Sequence, residues 1–156
     1  MAALTDFFEN KLIDFIFRGQ ALGITGASAA AGTGPTALFV GLFTANPTDT
    51  GGGTEVAGGS YARVSVSSAL ANWAGTQAAA STLASSGATG TTSNNGTVTF
   101  PAPTANWGVI TGFAIFDAST AGNMLIFGAL TTSKTINNGD AAPVFSAAAL
   151  SFQIDN

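Results

Sequence analysis

Eight carboxylates, four cations, no histidine and no cysteine are all the proton-handling and nucleophilic chemistry that the 156-residue chain offers. Any reaction that runs through an imidazole or a thiolate is excluded outright. The usual zinc ligands are missing with them, and no disulfide framework can form. Serine and threonine are abundant, but a hydroxyl needs a neighbouring base to become a nucleophile. Paired carboxylates can cleave a glycoside without histidine. Of the eight acids, however, Asp6, Glu9 and Asp14 fall in one helical stretch, and Asp117 and Asp140 sit where turns are expected. Asp49 and Glu55, in the loop NPTDTGGGTEVAGG, match no calcium-loop spacing. Gly51-Gly52-Gly53 is followed by no Lys-Ser/Thr and is not a phosphate cradle. The chain is read as non-enzymatic, without cofactor or metal.

Binding remains. A net charge of −4, with Lys11, Arg18, Arg63 and Lys134 scattered, makes no basic stripe for a phosphate backbone, so no nucleic-acid partner is expected. No apolar run approaches the roughly 18 residues of a spanning helix, and the acidic start lacks the positive region of a secretory signal. Trp73, Trp107 and Tyr61 have faces that can stack on a sugar. The tryptophans read as core, which leaves Tyr61 as the candidate glycan contact. Charged residues make up only 8% of the chain, against about 25% in ordinary globular domains. A surface so poor in charge is expected to be partly covered by partner subunits.

Two elements must position these groups. The first is LTDFFENKLIDFIF, residues 4–17. Leu4, Phe7, Phe8, Lys11, Leu12, Phe15 and Ile16 recur three and four apart and make one apolar stripe. Asp6 is placed as the cap with Glu9 three residues on. Gly19 is placed as the stop, after Arg18 at the negative end of the helix dipole. A helix of about 13 residues is marginal alone, so the stripe has to dock. The sharper reading makes Leu4, Phe7, Phe8, Leu12, Phe15 and Ile16 an anchor laid on another subunit. Residues 1–20 are therefore set apart as an anchor, 21–35 as a flexible linker, and 36–156 as a β domain with a variable Ala/Ser/Thr/Gly-rich insertion at about 68–96.

The second element is Gly108–Leu130, GVITGFAIFDASTAGNMLIFGAL. Two runs with a period of 2 flank the polar break Asp117–Asn123, which predicts a β-hairpin. Both faces are apolar, so it belongs inside a β body or against a neighbouring chain. Ala37–Thr44, Tyr61–Ser67, Thr97–Phe100, Lys134–Ile136 and Ala149–Ile154 read as further strands. In Tyr61–Ser67, Ala62, Val64 and Val66 are expected to point inward, with Tyr61, Arg63 and Ser65 outward. The predicted fold is mainly β: an antiparallel sandwich or jelly-roll-like domain with one N-terminal amphipathic helix. No repeat is visible, which counts against a long shaft.

The segments ALTDFFENKLIDFIFRGQA, ALFVGLFTANPTDTGGGTEVAGGSYARVSV, NNGTVTFPAPTANWGVITGFAIFDASTAGNMLIFGAL and KTINNGDAAPVF together resemble a family of small tailed-bacteriophage virion proteins, commonly labelled phage tail fibre proteins. The resemblance covers about two-thirds of the chain, in the family's order. It implies a structural protein of the virion, made in the bacterial host cytoplasm. It implies contacts with other phage structural proteins, either the major capsid protein or tail proteins. Two placements follow: a capsid-decorating cement protein, or a short tail-fibre or tail-appendage subunit. Host-glycan binding by the tail, through Tyr61, is the alternative. Closed rotational symmetry is the usual outcome for such subunits, and a homotrimer is expected.

Overall fold

The computed structural model describes residues 4–24 and 34–154. Most of the predicted linker, residues 25–33, lies outside them. Helix α1, Asp6–Arg18, is capped by Thr5 rather than Asp6. Thr5 holds an extended backbone (φ −93°, ψ 150°), and its Oγ1 accepts from Phe8 N at 3.4 Å, while Asp6 is already the first helical residue. Gly19 ends the helix as expected, in the left-handed region at φ 66°. A Cβ there would also lie 2.5 Å from the Ser68 carbonyl oxygen, so glycine is needed twice over.

Among the described residues nine strands follow: β1 Ala37–Ala45, β2 Thr54–Glu55, β3 Val64–Ser67, β4 Thr91–Ser93, β5 Val98–Thr99, β6 Gly108–Phe116, β7 Met124–Ile136, β8 Val144–Phe145 and β9 Ser151–Gln153. The fold is mainly β and antiparallel with one N-terminal helix. The chain forms two compact units. One takes Met1–Ala37, Ser67–Val98 and Phe145–Asn156; the other takes Leu38–Val66 and Thr99–Val144.

In the second unit the order is β2-β1-β6-β7, with β3 also paired to β1. The predicted hairpin is β6–β7, joined through 117–123, and β7 runs on without a break into the stretch read as a separate strand at Lys134–Ile136. Asp117 closes the turn. Its Oδ1 accepts from Asn123 N and its Oδ2 from Asn123 Nδ2, both at 2.7 Å. Those bonds favour the charged form and hold the carboxyl below its ordinary pKa. β1 is interior, flanked by β2 and β6, and buries residues of both alternations: Leu38, Val40 and Leu42 on one face, Phe43 on the other. Phe43, Ala114 and Phe116 form a small core, with Phe39 and Met124 packed on it.

In the first unit α1 lies with the β4–β9 pair and the stretch between Ser67 and Thr91. Phe17, Trp73 and Phe152 are mutually in contact, with ring centroids 5.1, 5.5 and 5.9 Å apart. Leu150 and Phe152 are buried and Ser151 and Gln153 exposed, following the alternation read for Ala149–Ile154. The stretch 68–96, whose periodicity decides nothing, folds into turns stitched by side chains. Asn94 Nδ2 donates to Gly96 O and Ser146 O, and its Oδ1 accepts from Leu150 N at 2.9 Å.

Candidate functional site

Helix α1 has two faces with different uses. The face that turns into the first unit is formed by Glu9, Ile13, Asp14, Phe17 and Arg18. Asp14 and Arg18 pair at 2.6 Å, one helical turn apart. Burial of two charges is tolerated only when both are paired and hydrogen-bonded, and here they are. Arg18 Nε donates to Trp73 O at 3.0 Å, Nη1 to Ser85 Oγ at 3.1 Å, and Nη2 to the carbonyls of Ser81 and Leu83. Asp14 accepts from Ser85 N at 2.9 Å and from its hydroxyl at 2.6 Å. Neighbouring Asn10 adds a bond to Gly87 O. One ion pair thereby orders a low-complexity stretch that has few large side chains of its own.

Periodicity therefore finds the apolar stripe but not the face that docks. Leu4, Phe7, Phe8, Leu12, Phe15 and Ile16 lie on the other side. Leu4 is 42% and Phe7 59% exposed, and the remaining four are half-buried. Lys11 extends its ammonium over the Phe7 ring, 5.8 Å from the centroid. The role of Asp14–Arg18 had one sequence signal, the i,i+4 spacing of opposite charges. Its partners at 73–85 had none, because four of the bonds go to backbone groups.

Tyr61 sits in a second cluster, in the other unit. Its ring stacks 6.4 Å from Phe100 and meets Trp107 edge-on at 5.4 Å. Its hydroxyl accepts from Leu42 N at 2.8 Å and donates to Glu55 Oε1 at 2.9 Å. Arg63 grips the same carboxylate in a fork, Nε to Oε1 at 2.8 Å and Nη2 to Oε2 at 2.7 Å. Its Nη1 reaches the carbonyls of Ala118 and Ala121 in the hairpin loop. The guanidinium carbon sits over the Phe116 ring, 3.3 Å from its centroid. Burial first, then the Glu55 charge, pushes the Tyr61 phenol well above its ordinary pKa. The Glu55 hydrogen bond raises that of Arg63.

This corrects the expected orientation of Tyr61–Ser67: Tyr61 and Arg63 turn toward the sheet and Ala62 is exposed. The ion pair and Phe116 outweigh simple alternation. Gly41 makes room, since a Cβ there would lie 2.9 Å from Glu55 Oε1 and 3.1 Å from the Tyr61 hydroxyl. Both tryptophans are core, as read; Trp107 Nε1 donates to Gly59 O at 2.9 Å. Glu55 is committed to Arg63 and Tyr61, and among the described residues no group of three acidic, histidine or cysteine side chains gathers to hold a metal. Among them, too, no helix is long and apolar enough to cross a membrane.

Two open grooves lie among the described residues. One, of about 410 Å³, is walled in the first unit by small and hydroxyl-bearing residues such as Thr76, Thr89, Thr91 and Ser151. The other, of about 250 Å³, lies over Phe43, Phe116 and Met124 in the second unit, beside Gly51-Gly52-Gly53. Neither brings an acid–base pair to a common point.

The chain is thus mainly β with one N-terminal helix, on whose apolar stripe Leu4 and Phe7 are exposed. The sequence profile of one family, the podophage GP4 fiber I protein gp80, matches residues 3–153. The chain belongs to this family and is a fibre-type structural protein of a phage particle. No curated protein matches it.

Proposed function

We propose that the chain is a non-catalytic building block that attaches to another phage structural protein through the outward stripe of α1 and works as an oligomer on the virion. The observation that carries this is the division of the helix. Its inward face is held by Ile13, Phe17 and the Asp14–Arg18 pair, while on the stripe Leu4 and Phe7 stay exposed beside the half-buried Phe8, Leu12, Phe15 and Ile16, which supports a partner there. Clustered exposed apolar side chains mark interaction sites more often than free surface. Fibre membership favours the tail-appendage placement over capsid decoration.

The double variant Leu4→Asp/Phe7→Asp tests it. Both side chains are exposed, so the variant folds with an unchanged melting curve, and it is absent from purified particles. Normal incorporation of the variant contradicts the reading. The host-glycan alternative draws less support, because the Tyr61 ring and hydroxyl are already engaged. Glycan binding lost in Tyr61→Ala but kept in the helix variant would restore it.

A further inference from the structure

The sequence carries two Asn-Gly pairs, Asn95-Gly96 and Asn138-Gly139. Glycine has no Cβ to shield its own amide or to restrict its backbone. Its nitrogen can therefore swing onto the side-chain carbonyl carbon of the asparagine before it. The two pairs share this chemistry, and the fold treats them in opposite ways.

Asn95 is locked. Its backbone N donates to Asn72 O at 2.8 Å, and its Nδ2 donates to Ala71 O at 3.2 Å and to Leu70 O at 3.5 Å. Its Oδ1 is buried. The next peptide is held as well, because Asn94, only 1% exposed, donates from Nδ2 to Gly96 O at 2.7 Å. Turning Cγ of Asn95 toward Gly96 N means releasing this whole fastening at once.

Asn138 is open. It lies in the exposed turn 137–140, just beyond the end of β7. Its side-chain amide makes no hydrogen bond to the described residues. Gly139 stands at φ 81°, with empty space where a Cβ would be. Asp140 N donates to Asn137 O at 3.2 Å, and Asn137 N to Asp140 Oδ2 at 2.7 Å, which closes the turn. One bond restrains the attacking nitrogen: Gly139 N donates to Pro103 O at 3.0 Å. An exposed turn opens locally at little cost, whereas a buried polar network opens only with the structure around it.

We propose that Asn138 is a site of spontaneous deamidation in the folded protein and that Asn95, in the same dipeptide, is protected by the fold. Gly139 N leaves Pro103 O, gives its proton to solvent and bonds to Asn138 Cγ. The side-chain nitrogen takes up a proton and departs as ammonia, leaving a five-membered succinimide. Water, the one co-reactant, then opens the ring at either carbonyl. One opening gives aspartate; the other gives isoaspartate, in which the main chain runs through the side-chain carbon. Either product adds a negative charge to a chain that already carries −4. The isoaspartyl form also lengthens the backbone by one atom inside the turn, so the bonds between Asn137 and Asp140 no longer close. Asn138 N donates to Asn106 Oδ1 at 2.8 Å, so conversion also loosens the tie between the end of β7 and the loop before Trp107.

The folded full chain, incubated in mildly alkaline buffer beside a sample held unfolded in guanidinium, tests this. Peptide mass spectrometry follows amide-to-acid conversion at each asparagine, and an isoaspartyl methyltransferase labels the rearranged product. Both pairs are expected to convert in guanidinium. In the folded chain, Asn138 is expected to convert at least about tenfold faster than Asn95. The isoaspartyl signal is expected to vanish in Asn138→Gln, whose longer side chain closes the ring far more slowly and whose exposed position leaves stability unchanged. Equal rates at the two sites in the folded chain, or conversion of Asn138 only in guanidinium, overturn the proposal.

Discussion

The two units are held together by opposite means. In the second, β1 and β6 bury branched and aromatic side chains in a regular ladder: Val40 faces Ile115, and Leu42 faces Phe113. In the first, the ladder is three residues long, and the stretch 68–96 is fastened by Arg18, Asp14, Asn10 and Asn94 to backbone groups far away in sequence. Apolar burial is non-directional and tolerant, whereas a buried polar network fails when one member is removed. The comparison teaches that the low-complexity half of the chain is the more brittle one, although it has fewer large residues to lose.

The largest effect is therefore expected at Arg18. Arg18→Ala leaves the Asp14 carboxylate buried without its counter-ion, at a cost of about 3–5 kcal/mol. Chemical denaturation measures the loss, and hydrogen exchange is expected to show it concentrated in residues 67–98. Uniform loss of protection would erase the distinction between the units.

Ile115, fully buried in the second unit, comes next. Ile115→Ala costs about 2–5 kcal/mol through lost burial and the cavity left behind. A destabilisation clearly exceeding that of Arg18→Ala would reverse the comparison.

Tyr61→Phe sharpens it within the apolar unit, which has one polar cluster of its own. The variant leaves the Leu42 amide without its acceptor, for about 1–3 kcal/mol. The pH dependence follows from the same bonds. The folded phenol is raised above its ordinary value of 10.0, so its contribution is complete below about pH 10 and is lost as pH climbs toward the folded value. Tyr61 is the only tyrosine, so absorbance near 295 nm reads it directly. No tyrosinate is expected in the folded protein at pH 10, and ordinary titration there contradicts the buried hydroxyl.

Much of the apolar unit was legible in the sequence, because period-2 runs such as GVITGFAIF and MLIFGAL have few other uses. The turn at Asp117–Asn123, the stop at Gly19 and the core placement of both tryptophans were legible for the same local reasons. What escaped was long-range and polar. Arg18 was readable as a helix-end charge, but its bonds to Trp73, Ser81 and Leu83 reach backbone carbonyls that any residue carries. Tyr61 and Arg63 broke their alternation because Glu55 and Phe116, distant in sequence, attract them more than solvent does. The apolar stripe of α1 was legible as a stripe; the inward face instead carries Ile13 and Phe17 with the Asp14–Arg18 pair, residues that the stripe leaves out.

The smallest effect on stability, and the largest on assembly, belongs to the outward stripe. Leu4→Asp/Phe7→Asp shifts stability by no more than about 0.5 kcal/mol, as exposed substitutions do. Quantifying that variant in purified particles, beside its melting curve, tests most directly the claim that the helix keeps one face for its own unit and one for a partner. The account predicts a normal melting curve and particles lacking the variant. Particles carrying it at wild-type levels would contradict the account.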